Sequence, residues 1–167
     1  MSLTIRPLQK EDSPHAFLKH INDLVEEDTF LLINQKQIIA GERRWVTDRL
    51  HGIKSKKELL FVAWDENTIA GTCWARKGVW KSIENVSIGI AITKEYRRKG
   101  LGKKLLRLTI KKTREILKPR NIYLSLLAKN KTAYRLYYLV GFRQFALFPK
   151  WVKHKGKYLY EVYMLLK

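Results

Sequence analysis

The chain has 167 residues, with 34 Lys or Arg against 15 Asp or Glu and a formal net charge of +19. That length suits one compact unit able to bury about two-thirds of its unfolded surface, and we read residues 1–167 as a single domain. No apolar run is long enough to cross a bilayer, and no charged leader with an apolar core opens the chain.

The lone Cys73 permits no internal disulfide, which fits a reducing, cytoplasmic setting. The four histidines (His15, His20, His51, His154) are scattered without metal-ligand spacing, so no metal is expected. So basic a surface attracts polyanions such as nucleic acid, ribosomes or an anionic cofactor, and it repels polycations. A generally basic background without any partner is the competing explanation.

Leu3 to Leu8 alternate as a first strand. Ser13 and Pro14 then mark a helix start, as N-cap and first helical residue, with Phe17, Ile21 and Leu24 as its apolar stripe. A loop carrying Phe30 to Ile33 leads to a second helix over Gln37 to Leu50. Leu59–Trp64 and Thr68–Trp74 flank the polar turn Asp65-Glu66-Asn67 as a hairpin.

Asn85 to Ile92, dense in β-branched residues, is the next strand. Leu101 to Leu117 reads as a long helix, with Leu106, Ile110, Thr113 and Leu117 inward and Lys103, Arg107, Lys111 and Arg114 outward, ended by Pro119. Ile122–Leu127 is strand-like, and Lys131–Val140 is a helix capped by Asn130 and closed by Gly141. Phe142–Val152 and Tyr158–Leu166 finish the chain as two strands around His154 to Lys157. The order β-α-α-β-β-β-α-β-α-β-β gives an α/β fold, a mixed sheet flanked by helices.

The junction from Ile88 to Lys104 carries the chemistry. A strand runs into a turn with Gly100 and Gly102, and a helix follows. Unpaired first-turn N–H groups and the helix dipole make such a terminus an anion site. Gly100 and Gly102 allow close approach, and Arg97, Arg98, Lys99, Lys103 and Lys104 add charge. A dinucleotide fingerprint is excluded, since Leu105 stands where its third glycine belongs, and the spacing is not that of a Walker loop.

Arg97-Arg98-Lys99-Gly100-Leu101-Gly102 resembles the acyl-CoA signature Arg/Gln-x-x-Gly-x-Gly/Ala of the GNAT N-acetyltransferase superfamily. A second stretch, Leu124 to Phe142, is similar to the later signature of the same family, with Asn130, Ala133, Leu136, Tyr137, Gly141 and Phe142 in place. Gly156-Lys157-Tyr158-Leu159-Tyr160-Glu161-Val162-Tyr163-Met164 resembles the family's closing strand, except that Tyr160 takes the acidic position and the carboxylate moves to Glu161.

The resemblance spans the chain and implies an acetyl-CoA-dependent N-acetyltransferase. By it, the cofactor's pyrophosphate sits on the Arg97–Lys103 turn, including Leu101, and its pantetheine arm pairs with Ile90, Ala91 and Ile92 where a bulge splays the sheet. An N–H of Ile90 or Ile92 would polarise the thioester carbonyl. Asn130 would bond the cofactor arm, a role compatible with capping. Tyr137 would be the general acid for the leaving thiolate, although a packed core tyrosine would show the same pattern.

The glutamate that serves many relatives as base falls at Ser87. Glu84 is the nearest carboxylate that can act through water, and an exposed strand-end charge is its plainer reading. A positive field also lowers the pKa of a nearby ammonium, and an α-amine starts near 8 against about 10.4 for lysine. This favours the amine of a protein N-terminus, as on a ribosomal protein, or a small amino-acid-like acceptor, with cationic polyamines last. The other reading is a non-catalytic basic module of this fold, binding nucleic acid or the ribosome and holding acetyl-CoA structurally or as a sensor. As monomer or homodimer, it is expected to have no membrane partner.

Overall fold

The computed structural model describes residues 3–28 and 30–167; Met1, Ser2 and Thr29 lie outside the described residues. Seven strands form one sheet: β1 (Leu3–Pro7), β2 (Glu58–Asp65), β3 (Thr68–Lys77), β4 (Asn85–Ile92), β5 (Asn121–Leu127), β6 (Phe142–His154) and β7 (Lys157–Leu166). Their spatial order is β1-β2-β3-β4-β5-β7-β6, and among the described residues only the β4–β5 pair is parallel. Four α-helices connect them: α1 (Pro14–Glu26), α2 (Ile39–Lys54), α3 (Leu101–Lys112) and α4 (Lys131–Val140).

The strand–turn–helix grammar explains most boundaries. Asn130 caps α4 by accepting from the Ala133 N–H at 3.1 Å, and Gly141 closes it in the left-handed region with φ +116°. Ser13 occupies the extended N-cap position of α1, but its hydroxyl makes no capping bond. The expected α2 is shifted, starting at Ile39 and running to Lys54.

The long helix from Leu101 does not continue regularly to Leu117. It loosens after Lys112 into a wider five-residue turn, where Lys118 donates to the Thr113 carbonyl and is itself left-handed. Pro119 prevents the chain from continuing as helix. β6 and β7 extend further than the pattern suggested because Lys155 (φ +47°) and Gly156 (φ +74°) make a two-residue turn with both φ angles positive. Such a turn matches the strand twist and lets His154 pair with Lys157.

Two apolar layers sandwich the first half of the sheet. Phe17 and Val46 of α1 and α2 meet Leu60, Val62 and Trp64 on one face. Leu105, Leu106 and Ile110 of α3 meet Phe61, Cys73, Val86 and Ile88 on the other. This second layer continues through Leu124, Leu126, Val162 and Met164 to Tyr137 of α4. α1 and α2 pack chiefly on β3 and β2, so among the described residues no helix packs extensively on the corresponding face of β5, β7 and β6; Asp28, just past α1, meets it only at the hairpin tip, pairing with His154 and Lys155.

β4 and β5 pair only from Asn85–Asn121 to Ser87–Tyr123. Beyond Ser87 the two strands part, because β5 stays in register with β7 from Tyr123 to Leu127. The bulge expected in β4 is not there: β4 keeps an unbroken register with β3 from Val86 to Ile92. The gap comes from the early end of the parallel ladder.

Candidate active site

Backbone polarity settles which groups face the gap. Gly78 N–H donates to the Asn85 carbonyl, and Thr93 N–H donates to the Ala70 carbonyl. Both bonds join odd-numbered positions of the β4 segment to the β3 side. Polarity alternates along a strand, so the N–H groups of Ile90 and Ile92 point away from β3 into the gap, while Ala91 bonds toward β3. The Ile92 carbonyl agrees, accepting from Arg97 Nε at 2.8 Å on that side.

The gap opens onto the N-terminus of α3. Gly100 is the N-cap with φ +80°, a conformation costly for any residue with a Cβ, and an added Cβ there would meet nothing within 4 Å. Among the described residues, the N–H groups of Leu101, Gly102 and Lys103 find no protein acceptor, whereas Lys104 N–H already donates to Gly100. Gly102 lies where three motif elements meet: its missing Cβ would be 3.4 Å from Leu136 of α4 and within 4.0 Å of Ile92 and Ile90. Arg98, Lys99 and Lys103 surround this terminus as exposed cations.

Arg97 is not one of them. Its guanidinium grips both carboxylate oxygens of Glu27 just past α1, the second at 2.8 Å, and its own N–H is taken by the Lys94 carbonyl. It therefore works as a strut between α1 and the turn, with three of its five N–H donors already engaged. A second strut stands beside it. Thr93 Oγ1 donates to the Ile69 carbonyl at 2.8 Å, so it must accept from His20 Nδ1 at 2.9 Å. His20 is thus the neutral Nδ1–H tautomer, with Nε2 facing the Thr72 hydroxyl at 3.5 Å. Burial pushes the His20 pKa down to about 4.

Tyr137 lies on the inner face of α4, edge-on to Phe142 with ring centroids 6.0 Å apart. It is buried, yet its hydroxyl is not among the sealed unpartnered atoms, which are Arg49 Nε, Trp64 Nε1 and Thr113 Oγ1. Burial, then proximity to Cys73, raises its pKa above the usual phenol value, so it stays protonated. Cys73 pairs with Ile90 across β3–β4, and Tyr137 belongs to the same apolar cluster as Cys73, against which Ile90 also packs. The Cys73 thiol is itself pushed up to about 12 by burial, and it is a packing residue.

Asn130 spends its Oδ1 on the cap and leaves its amide N–H free. Glu84 is not brought to the gap. It precedes β4, exposed, and its carbonyl accepts from Arg120 and Asn121 at the paired end of the ladder. Six residues of strand, about 20 Å, separate it from Ile90.

Sequence reasoning gave Glu161 no role, although it is only 3% exposed. It pairs with Leu127 on one side and Phe148 on the other. No ion pair or side-chain hydrogen bond holds it among the described residues, and it is absent from the sealed atoms, so its oxygens touch the open face. Glu42, on the inner face of α2, is buried too, and desolvation raises its pKa.

The profile of the acetyltransferase (GNAT) family matches residues 15–142. The chain belongs to that family. It is 34% identical over 84 residues to the spermine/spermidine N(1)-acetyltransferase of Bacillus subtilis (strain 168), covering 50% of this chain and 47% of that protein. The match thus spans about half the length of that curated relative.

Among solved structures, the fold is similar to the ribosomal-protein-alanine N-acetyltransferase of Brucella melitensis (TM-score 0.85, 20% identity, 97% of this chain and 98% of that one). It is also similar to a GNAT superfamily phosphinothricin acetyltransferase from Sinorhizobium meliloti, solved in complex with acetyl-CoA (TM-score 0.82, 19% identity, 99% and 88%).

Proposed function

We propose that the protein is an acetyl-CoA-dependent N-acetyltransferase acting on primary amines. The observation that carries this reading is the parted β4–β5 seam, with the Ile90 and Ile92 N–H groups facing into it and a glycine-lined helix N-terminus at its mouth. When bound, acetyl-CoA supplies an acetyl thioester, and the acetyl group passes to the amine nitrogen as free thiol is released.

The residues fit this cofactor. Three unpaired N–H groups from Leu101 to Lys103 can donate to an anion, and Arg98, Lys99 and Lys103 add charge around it. Gly102 keeps the passage between α3, α4 and β4 free of a side chain. Asn130 offers its amide N–H to the extended arm. Ile90 or Ile92 would donate to the thioester carbonyl oxygen, and Tyr137 would give its proton to the departing sulfur while the amine nitrogen sheds one to solvent. That transfer is uphill from a phenol of raised pKa to a thiolate whose acid has a pKa of about 8.5, so it is coupled to C–S cleavage.

Relatives named for spermine, ribosomal-protein alanine and phosphinothricin make the acceptor an open choice among primary amines. Incubation with acetyl-CoA and a panel of N-terminal peptides, amino acids and polyamines, read by thiol release, tests the enzyme reading. Absence of thiol release with every acceptor refutes it. Gly100→Glu should abolish acetyl-CoA binding by calorimetry, since a carboxylate would stand over the anion site; retained binding would move the cofactor elsewhere.

A further inference from the structure

The open face of β5, β7 and β6 carries chemistry that the transfer reaction does not use. Glu161 and Tyr163 share one face of β7, as residues two apart on a strand must. Tyr163 stacks on Tyr123 at 6.4 Å and 15°, and Phe148 meets Tyr163 edge-on at 5.2 Å. Trp151, which is 63% exposed, lies 5.1 Å from Phe148. A buried carboxylate without a cationic partner is expensive to keep. Its place beside an aromatic wall suits an organic ammonium, which aromatic faces and a carboxylate together can hold.

The register locates this group relative to the seam. Counting forward from Ser87–Tyr123, Ala91 comes level with Leu127, and Leu127 pairs with Glu161. Two strand spacings, about 10 Å plus the parting, therefore lie between the reactive stretch of β4 and the backbone of Glu161. That is too far for the nitrogen attacking at β4. Pairing with a carboxylate would in any case hold that nitrogen protonated.

We propose that Glu161 anchors a second, non-reacting ammonium of the acceptor, so that the enzyme prefers diamine-type organic cations whose alkyl spacer lies along Tyr123, Tyr163 and Phe148. This rests on the N-acetyltransferase reading and narrows its acceptor class. It also reverses the ranking that net charge suggested, because the local carboxylate, not the global +19, meets the substrate.

The test compares 1,4-diaminobutane with butylamine, matched in chain length, by thiol release with the wild-type protein. The diamine should be favoured at least tenfold in kcat/KM. Glu161→Gln should erase that preference by raising the diamine KM, leaving butylamine turnover and the KM for acetyl-CoA as they were; Glu161→Asp should restore part of it. Equal use of both amines by the wild type, or an intact preference in Glu161→Gln, overturns the proposal. If Glu161→Gln fails to bind acetyl-CoA by calorimetry, the wild-type comparison alone decides. Transfer to peptides or amino acids with no diamine preference sinks this inference and leaves the enzyme reading standing, whereas no transfer to any amine sinks the enzyme reading itself.

Discussion

The two halves of the sheet are made of different material. From β1 to β4 the strands lie between α1 and α2 on one side and α3 on the other, and six consecutive residues of β2, Leu59 to Trp64, are buried. From β5 to β6 only one face is covered, and Phe145, Leu147, Phe148 and Trp151 of β6 reach solvent. The first half gains its stability by burying both faces. The second leaves one face exposed and lines it with tyrosines, a phenylalanine and an unpaired carboxylate. The groups that we assign to catalysis, Ile90, Ile92 and Tyr137, stand at the seam between them, Tyr137 on its helix-covered side.

That contrast predicts separable damage. Phe17, 2% exposed beneath α1, anchors the double-sided half. Phe17→Ala should cost about 3–5 kcal/mol in denaturant unfolding, and a loss below 1 kcal/mol would show that this layer is not what holds the protein together. At the seam the expected pattern is the opposite. Tyr137→Phe removes one hydroxyl and should lower kcat by about 10²–10⁴-fold, with the KM for acetyl-CoA and the melting temperature nearly unchanged. Unaltered turnover would remove Tyr137 from proton transfer.

Acid should strike the buried half through His20. Its pKa is about 4 in the folded protein against 6.5 for an ordinary histidine. Between these values the unfolded chain holds the extra proton, so this contribution is intact above pH 6.5 and is lost as pH falls toward 4. The loss amounts to about 3 kcal/mol. Unfolding free energies for wild type and His20→Gln across that range check it, the variant having the flatter profile. The smallest effect belongs to the strut. Arg97→Ala should cost about 1 kcal/mol while raising the KM for acetyl-CoA, and Arg97→Lys should not rescue it because a point charge cannot grip both oxygens of Glu27. An unchanged KM would separate the strut from the cofactor turn.

Local grammar made much of this legible. Asn130 and Gly141 announce the limits of α4, Asn85 to Ile92 is β4 to the residue, and the glycine turn stands out before any fold is known. What stayed hidden depends on distant register. Arg97 looks like one more phosphate-binding cation until Glu27, seventy residues earlier, is seen to occupy it. Glu84 looks like the nearest carboxylate because sequence distance ignores which end of β4 opens. Glu161 looks like a small departure from a motif, because nothing local says that the face it shares has no helix above it.

Only three residue pairs join the halves along β4 and β5, reinforced by the Asn121 amide donating to the Asn85 side chain at 2.8 Å. A split that stops partway along a sheet behaves like the tip of a tear, where the last bonded pair carries the strain of both flaps. The amides of Ile88 and Tyr123 should therefore exchange with solvent sooner than those deeper in β2 and β3. A ligand lodged between the flaps bonds to both and acts as a stitch, so its occupancy should slow exchange on both sides at once.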